Sequence, residues 1–214
     1  PSKIIVTGSP RHDDYFNSRS IQKPSKKITI LLAPNPITEI HGFASTALEL
    51  KFSDTIKKIL IILKQFKNVQ PIIKLHAIPL LHNTKIKLLI NELDSTIPIY
   101  QSTRIIETIN KSDIVIVLSS ESFFTSTMLL ESMILGKPTM NIILDDDIPK
   151  FSHILQNAVH TISYNDNLEN NLKKILFDDK FKNKITKNAD IFVSNFLAFP
   201  GHASEEFAKI LKSF

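Results

Sequence analysis

Short apolar runs alternate along the chain with segments whose apolar residues recur at helical spacing. Ile28 to Ala33, Pro71 to Leu75, Ile97 to Tyr100, Asp113 to Leu118 and Thr139 to Leu144 are apolar at odd and even positions alike. That is the pattern of strands covered on both faces by helices. Between them, Ile86, Leu89, Ile90 and Leu93 fall at i, i+3, i+4 and i+7, which predicts an amphipathic helix from about Thr84, with Asn83 as its cap. Phe52, Ile56, Ile59, Leu60 and Leu63 predict another helix one unit earlier. Strand, helix and strand joined repeatedly by right-handed crossovers give a parallel sheet, so the expected fold class is α/β, an open, doubly wound, Rossmann-like parallel sheet.

Two stretches stand outside the alternation. In the C-terminal third, Leu168, Leu172, Ile175 and Leu176, then Ile185, Ala189, Phe192, Val193 and Phe196, then Phe207, Ile210, Leu211 and Phe214 predict three successive helices. Pro200 and Gly201 separate the last two. Near the start, a strand-like run from Lys3 to Thr7 is followed by Gly8, Pro10 and a polar connector ending at Pro24.

Composition narrows the chemistry. With 214 residues, 43% hydrophobic and 22% charged, one ordinary globular core is expected. The net charge of +5 comes almost wholly from lysines spread along the chain, with arginine only at 11, 19 and 104 and no tryptophan. This reads as solvated helix faces, and no nucleic-acid partner is expected. The absence of cysteine excludes disulfides, thiolate catalysis and thiolate-held metals. The apolar runs Ile59 to Leu63 and Ile114 to Leu118 fall far short of the roughly 20 residues of a membrane span. There is no Gly-x-Gly-x-x-Gly, no Walker loop and no His-x-x-x-His pair, so no cofactor and no metal is expected. The run Asp145 to Asp147 reads as a solvated loop, because three consecutive carboxylates converge poorly on one ion.

Ligands of open α/β sheets bind beyond the carboxyl ends of the strands. The richest loop there is Ser119 to Pro138, with hydroxyls at Ser120, Ser122, Thr125, Ser126 and Thr127 ahead of a helix from Met128 to Leu135 that ends at Gly136. Unpaired N–H groups and the partial positive charge of a helix start can seat a phosphate or diphosphate. Glu131, one turn further in, can accept both hydroxyl hydrogens of a ribose. The same residues serve equally as helix caps and a dipole partner, so the loop alone leaves both readings open.

The segment Asp113 to Pro138 resembles the nucleotide-binding C-terminal domain of GT-B glycosyltransferases and of the related UDP-N-acetylglucosamine 2-epimerases, through a strand, hydroxyl loop, glutamate and Gly-Lys-Pro in that order. The stretch Gly8, Pro10, Arg11 and Asp13 is similar to a segment of CDP-glycerol glycerophosphotransferases that closes the N-terminal domain, and Gly201, Ala203 and Ser204 resemble the opening of the last helix in these enzymes. The resemblance implies that Thr125, Ser126 and Thr127 hold the diphosphate and Glu131 the ribose, with Ser120 beside them. His76, after the strand Pro71 to Leu75, falls where the family carries a histidine and can donate to a phosphate or sugar oxygen; a structural role fits it equally.

What the resemblance implies for the whole is the donor-binding half of a cell-surface polysaccharide glycosyltransferase. Residues 1–25 would supply the last strand of an N-terminal domain plus a linker, and residues 26–214 the donor-binding domain. The chain would then be part of a longer protein, inactive alone for want of the facing domain that carries the acceptor and the base. Its partners would be a UDP- or CDP-type nucleotide-sugar and an oligosaccharide or polyol acceptor, in the cytoplasm or at the inner face of the membrane. An epimerase is the alternative enzyme, weakened because Asn35, Pro36 and Ile37 replace the His-Arg-x-x-Asn type segment of those enzymes. A flavodoxin-like interaction module is the non-enzymatic alternative.

Overall fold

The computed structural model describes residues 4–19, 26–36, 46–78, 81–119 and 126–213. Among these, strands β1 (Ile28–Pro34), β2 (Val69–Lys74), β3 (Ile99–Tyr100), β4 (Ile114–Ser119), β5 (Thr139–Ile143) and β6 (His160–Ser163) form one sheet in the order β3-β2-β1-β4-β5-β6. Every pairing is parallel. The chain winds outward from β1 to β3, returns to β4 beside β1, and winds outward again, so the order reverses between β1 and β4.

The period of two in the strands divides the core. Ile114, Ile116 and Leu118 of β4 face one layer, with Phe52, Ile56, Ile59 and Leu63 of α2 (Thr46–Lys64), Ile86 and Ile90 of α3 (Leu81–Asp94) and Leu172, Ile175 and Leu176 of α7 (Leu168–Phe177). Val115 and Val117 face the other, with Ile106 and Ile109 of α4 (Ile105–Asn110), Met128, Leu129 and Met133 of α5 (Thr127–Ile134) and Ala189, Phe192 and Val193 of α8 (Asp179–Phe196). This is why β4 is apolar at every position. The doubly wound parallel fold expected from the pattern is the fold observed.

Several local details differ from the pattern. Asn83 does not cap α3. It lies inside a helix already formed at Leu81, buried, and its Nδ2 donates to the carbonyls of His76 and Ile78 at 2.9 Å each, pinning the loop after β2. The edge strand β6 and the short helices α1 (Asp13–Asn17) and α6 (Ser152–Leu155) carry no periodic apolar signal. The strand expected from Lys3 to Thr7 pairs with no strand among the described residues, and Ile4, Ile5 and Val6 are exposed. The last helix, α9, spans Ala203–Leu211.

α5 stops where Gly136 takes φ +69°, a conformation open to glycine, with Gly136 N–H donating to Met133 and Lys137 N–H to Ser132. The turn sends the Lys137 side chain inward, 4% exposed, where Nζ donates to the Ser112 carbonyl at 2.7 Å. Burial lowers its pKa to about 8, with Asp113 opposing the shift. A lysine depressed in the folded state holds fewer protons there than in the unfolded chain between pH about 8 and its ordinary value, so stability rises with pH through that window. Denaturant titrations across it should show a gain of up to about 1.4 kcal/mol per pH unit relative to Lys137→Met, which lacks the group. Parallel pH profiles for the two proteins would contradict this.

Candidate functional site

At the point of strand-order reversal, the backbone leaves β1 at Asn35, whose N–H donates to the Leu118 carbonyl of β4 at 2.9 Å. Ser126, the residue ahead of α5, sends its hydroxyl to Asn35 Oδ1 at 3.1 Å and makes no side-chain cap on its own helix. Thr127 opens α5 and is exposed. The sequence reading leaves Ser126 as either a cap or part of a ligand seat. Its hydroxyl is instead turned across the crevice to β1, and among the described residues no side chain caps the start of α5. Ser120 and Thr125, the other two hydroxyl candidates, lie outside the described residues.

Glu131 lies in this helix but faces the protein rather than the open crevice, 0% exposed. Its Oε1 accepts a hydrogen bond from Arg11 Nη2 at 2.9 Å, and its Oε2 is buried without a hydrogen-bond partner. Burial pushes the Glu131 pKa up, with the Arg11 charge, the Arg11 hydrogen bond and a hydrogen bond from the Tyr15 hydroxyl pulling it down. Tyr15 is close enough that, after its own burial, the Glu131 charge is the next cause of its raised pKa. Arg11 reaches over this helix with its side chain 59% exposed.

Arg11 and Tyr15 belong to a strap formed by a 3-10 turn, Pro10–His12, and α1. Asp13 accepts the backbone N–H groups of Ala203 at 3.0 Å and Ser204 at 2.8 Å, capping α9 from the other end of the chain. Burial acts to raise the Asp13 pKa, but a hydrogen bond from the Ser204 hydroxyl together with these two backbone ones outweighs it and leaves the pKa lowered. Arg19 forms a two-pronged pair with Asp190 of α8 at 2.8 and 3.2 Å. The motif at residues 8–13 and the motif at residues 201–204 therefore meet. Sequence reasoning found both, but not that they touch, and it did not single out Tyr15 or place Arg11 on Glu131.

His76 follows β2 at the same edge of the sheet, half-buried, with Nδ1 accepting the Ile78 N–H at 3.3 Å. Beside it, buried Lys74 donates to the Gln101 carbonyl at 2.6 Å and the Leu75 carbonyl at 3.1 Å, tying the ends of β2 and β3 together. Arg104 reaches Asp14 of the strap at 3.3 Å, both exposed. Asp145 to Asp147 are exposed, and among the described residues no cluster of histidine and carboxylate side chains could hold a metal. A cavity of about 490 Å³ lined by Lys27, Leu60, Lys64, Phe66 and Pro98 lies at the opposite end of the sheet and includes none of these site residues.

No protein-family model and no curated protein matches the chain. Solved structures do. A putative UDP-N-acetylglucosamine 2-epimerase from Listeria monocytogenes is similar at a TM-score of 0.60 and 14% identity, over 96% of this chain and 50% of that one. The C-terminal domain of a group 1 family glycosyltransferase, LpcC, from Francisella tularensis is similar at 0.54 and 15% identity, over 90% of this chain and 97% of that one. The Anabaena protein HepE, solved in complex with UDP-glucose, is similar at 0.55 and 12% identity, over 96% of this chain and 54% of that one. The chain spans about half the length of most such structures it matches. Together with the six-stranded parallel sheet, these likenesses show that the chain has the Rossmann-like fold of the C-terminal half of GT-B glycosyltransferases.

Proposed function

We propose that the chain is the donor-binding half of a GT-B glycosyltransferase of cell-surface polysaccharide biosynthesis, taking a nucleotide-diphosphate sugar of the UDP or CDP type. The observation that carries this reading is the start of α5. It sits where the strand order reverses, carries no side-chain cap from the described residues, and is flanked by the Ser126 and Asn35 side chains. A diphosphate placed there would take backbone N–H groups and the Thr127 hydroxyl. Glu131, one turn on, would accept the ribose hydroxyls, and Ser120 and Thr125 would complete the hydroxyl loop. That a structure with this fold was solved in complex with UDP-glucose supports a nucleotide-sugar as the ligand. Transfer would then rest on positioning the anomeric carbon and stabilising the leaving diphosphate. A facing N-terminal domain would hold the oligosaccharide or polyol acceptor.

A thermal-shift panel of UDP, CDP, GDP and their sugars tests this reading, since any ligand of the folded state raises the melting temperature by mass action. Nucleoside diphosphates should raise it more than pyrophosphate does. No shift with any nucleotide would remove the proposal.

His76 offers a second check. Its only hydrogen bond on the ring among the described residues is a long one to the Ile78 N–H, so His76→Ala should leave the melting temperature nearly unchanged. If the ring donates to the donor's phosphate or sugar, the variant should bind a nucleotide-sugar several-fold more weakly, on the order of 1 kcal/mol. A large stability loss with intact binding would make it a structural residue instead.

A further inference from the structure

The nucleotide site proposed above is closed in this structure by the chain itself. Neither carboxylate oxygen of Glu131 is accessible: Oε1 is held by Arg11, Oε2 is buried, and the Tyr15 hydroxyl lies against the carboxylate. A ribose diol needs those oxygens, so it cannot reach Glu131 while the guanidinium is seated. We propose that Arg11 is an internal competitor for the ribose, a latch that holds the site closed until a nucleotide displaces its side chain. This inference rests on the reading of Glu131 as the ribose acceptor.

The geometry makes Arg11 the movable part. Its side chain is 59% exposed, so it can swing into water at little desolvation cost, whereas Glu131 has nowhere to go. The strap that carries it is fixed elsewhere, at Asp13 on the N-terminus of α9 and at Arg19 on Asp190. The latch can therefore open by rotation of one side chain with the strap still docked. Release also does not strand the carboxylate, because the two ribose hydroxyls replace the guanidinium as donors. What separates this arrangement from an ordinary structural tie is its asymmetry, a carboxylate with no exposure held by a guanidinium that is mostly in water.

The latch should be read in the apparent affinity, which falls by the fraction of molecules that are open. If the pair is closed about nine-tenths of the time, removing the guanidinium should tighten nucleotide binding about tenfold. The experiment is calorimetric titration of UDP, CDP, GDP and pyrophosphate into the wild-type chain and Arg11→Met, in mildly alkaline buffer so that Glu131 stays ionised in both. Tighter binding of a nucleoside diphosphate to Arg11→Met, with pyrophosphate binding unchanged, is expected, because pyrophosphate has no ribose. Unchanged or weaker nucleotide binding would overturn the latch. Amide hydrogen exchange on the wild type gives a readout that does not depend on the variant folding. Saturating nucleotide should leave exchange at residues 10–16 unchanged, since the strap stays docked on Asp13 and Arg19, and slowed exchange there would make Arg11 part of the bound site instead. The underlying reading fails separately, if wild type and Glu131→Gln bind nucleotide with equal affinity.

Discussion

Gly8→Ala should detach the strap from the domain. Gly8 has φ +75°, and a Cβ built there would lie 2.3 Å from the Ala198 carbonyl oxygen and 2.9 Å from the Ala203 Cβ. The left-handed conformation alone costs an alanine about 1–2 kcal/mol, and the closest neighbour is backbone, which cannot rotate aside. Overpacking of this kind adds about 1–3 kcal/mol. The strap holds to the domain through a few hydrogen bonds from Asp13, the Arg19–Asp190 pair and the packing of Tyr15 and Phe16 on the second core layer. Local release is therefore easier than global unfolding, and the damage should concentrate there. Arginine occurs only at 11, 19 and 104, so an arginine-specific protease reports on the strap almost alone. Wild type should resist cleavage at Arg11 and Arg19, while Gly8→Ala is cut at both within a time that leaves Arg104 intact. Equal resistance in the two proteins would show that the strap tolerates the added methyl.

The parts of this fold that sequence reveals are those where one local pattern has one structural meaning. Ile114 to Leu118 can only be a strand covered on both faces, and the Gly136-Lys137-Pro138 turn follows from the need for a left-handed residue after α5. β6 is different. His160, Thr161, Ile162 and Ser163 alternate weakly at the sheet edge, where one neighbour and partial burial suffice, so little apolar pattern is required. Asn83 shows the converse failure. An asparagine ahead of an apolar repeat has the pattern of a cap, yet its side chain serves the preceding loop. Of the site, the position of α5 and its hydroxyls is legible because the reversal of strand order follows from the alternation of elements. The partner of Glu131 is not, because Arg11 lies 120 residues away and the pairing exists only once the strap docks. A glutamate one turn into a helix looks the same in sequence whether it faces a ligand or is covered by an arginine.

Glu131→Gln should separate the stability of the site from its affinity. The buried carboxylate has its pKa raised in the folded protein, so its ionisation costs stability as pH climbs from the unfolded pKa to the folded one. Glutamine carries no such cost and fills nearly the same space. It leaves Arg11 without its partner, but that side chain is mostly in water. The melting temperature at neutral pH should therefore hold or rise, because the change leaves no unpaired charge buried. Nucleotide binding should move the other way. Hydrogen bonds from ribose hydroxyls to a carboxylate are charge-assisted, and losing the charge costs about 1.5–3 kcal/mol, or about ten- to a hundredfold in affinity. Part of that loss is offset if Arg11 no longer competes, so the lower end of the range is the expected value for UDP or CDP. Pyrophosphate has no ribose and should bind both proteins alike at the start of α5. Calorimetry with the nucleotide and pyrophosphate on wild type and variant decides the matter. A lower melting temperature with equal nucleotide affinity would make the Arg11–Glu131 pair a structural tie between strap and helix, and would leave the diphosphate seat without a ribose partner.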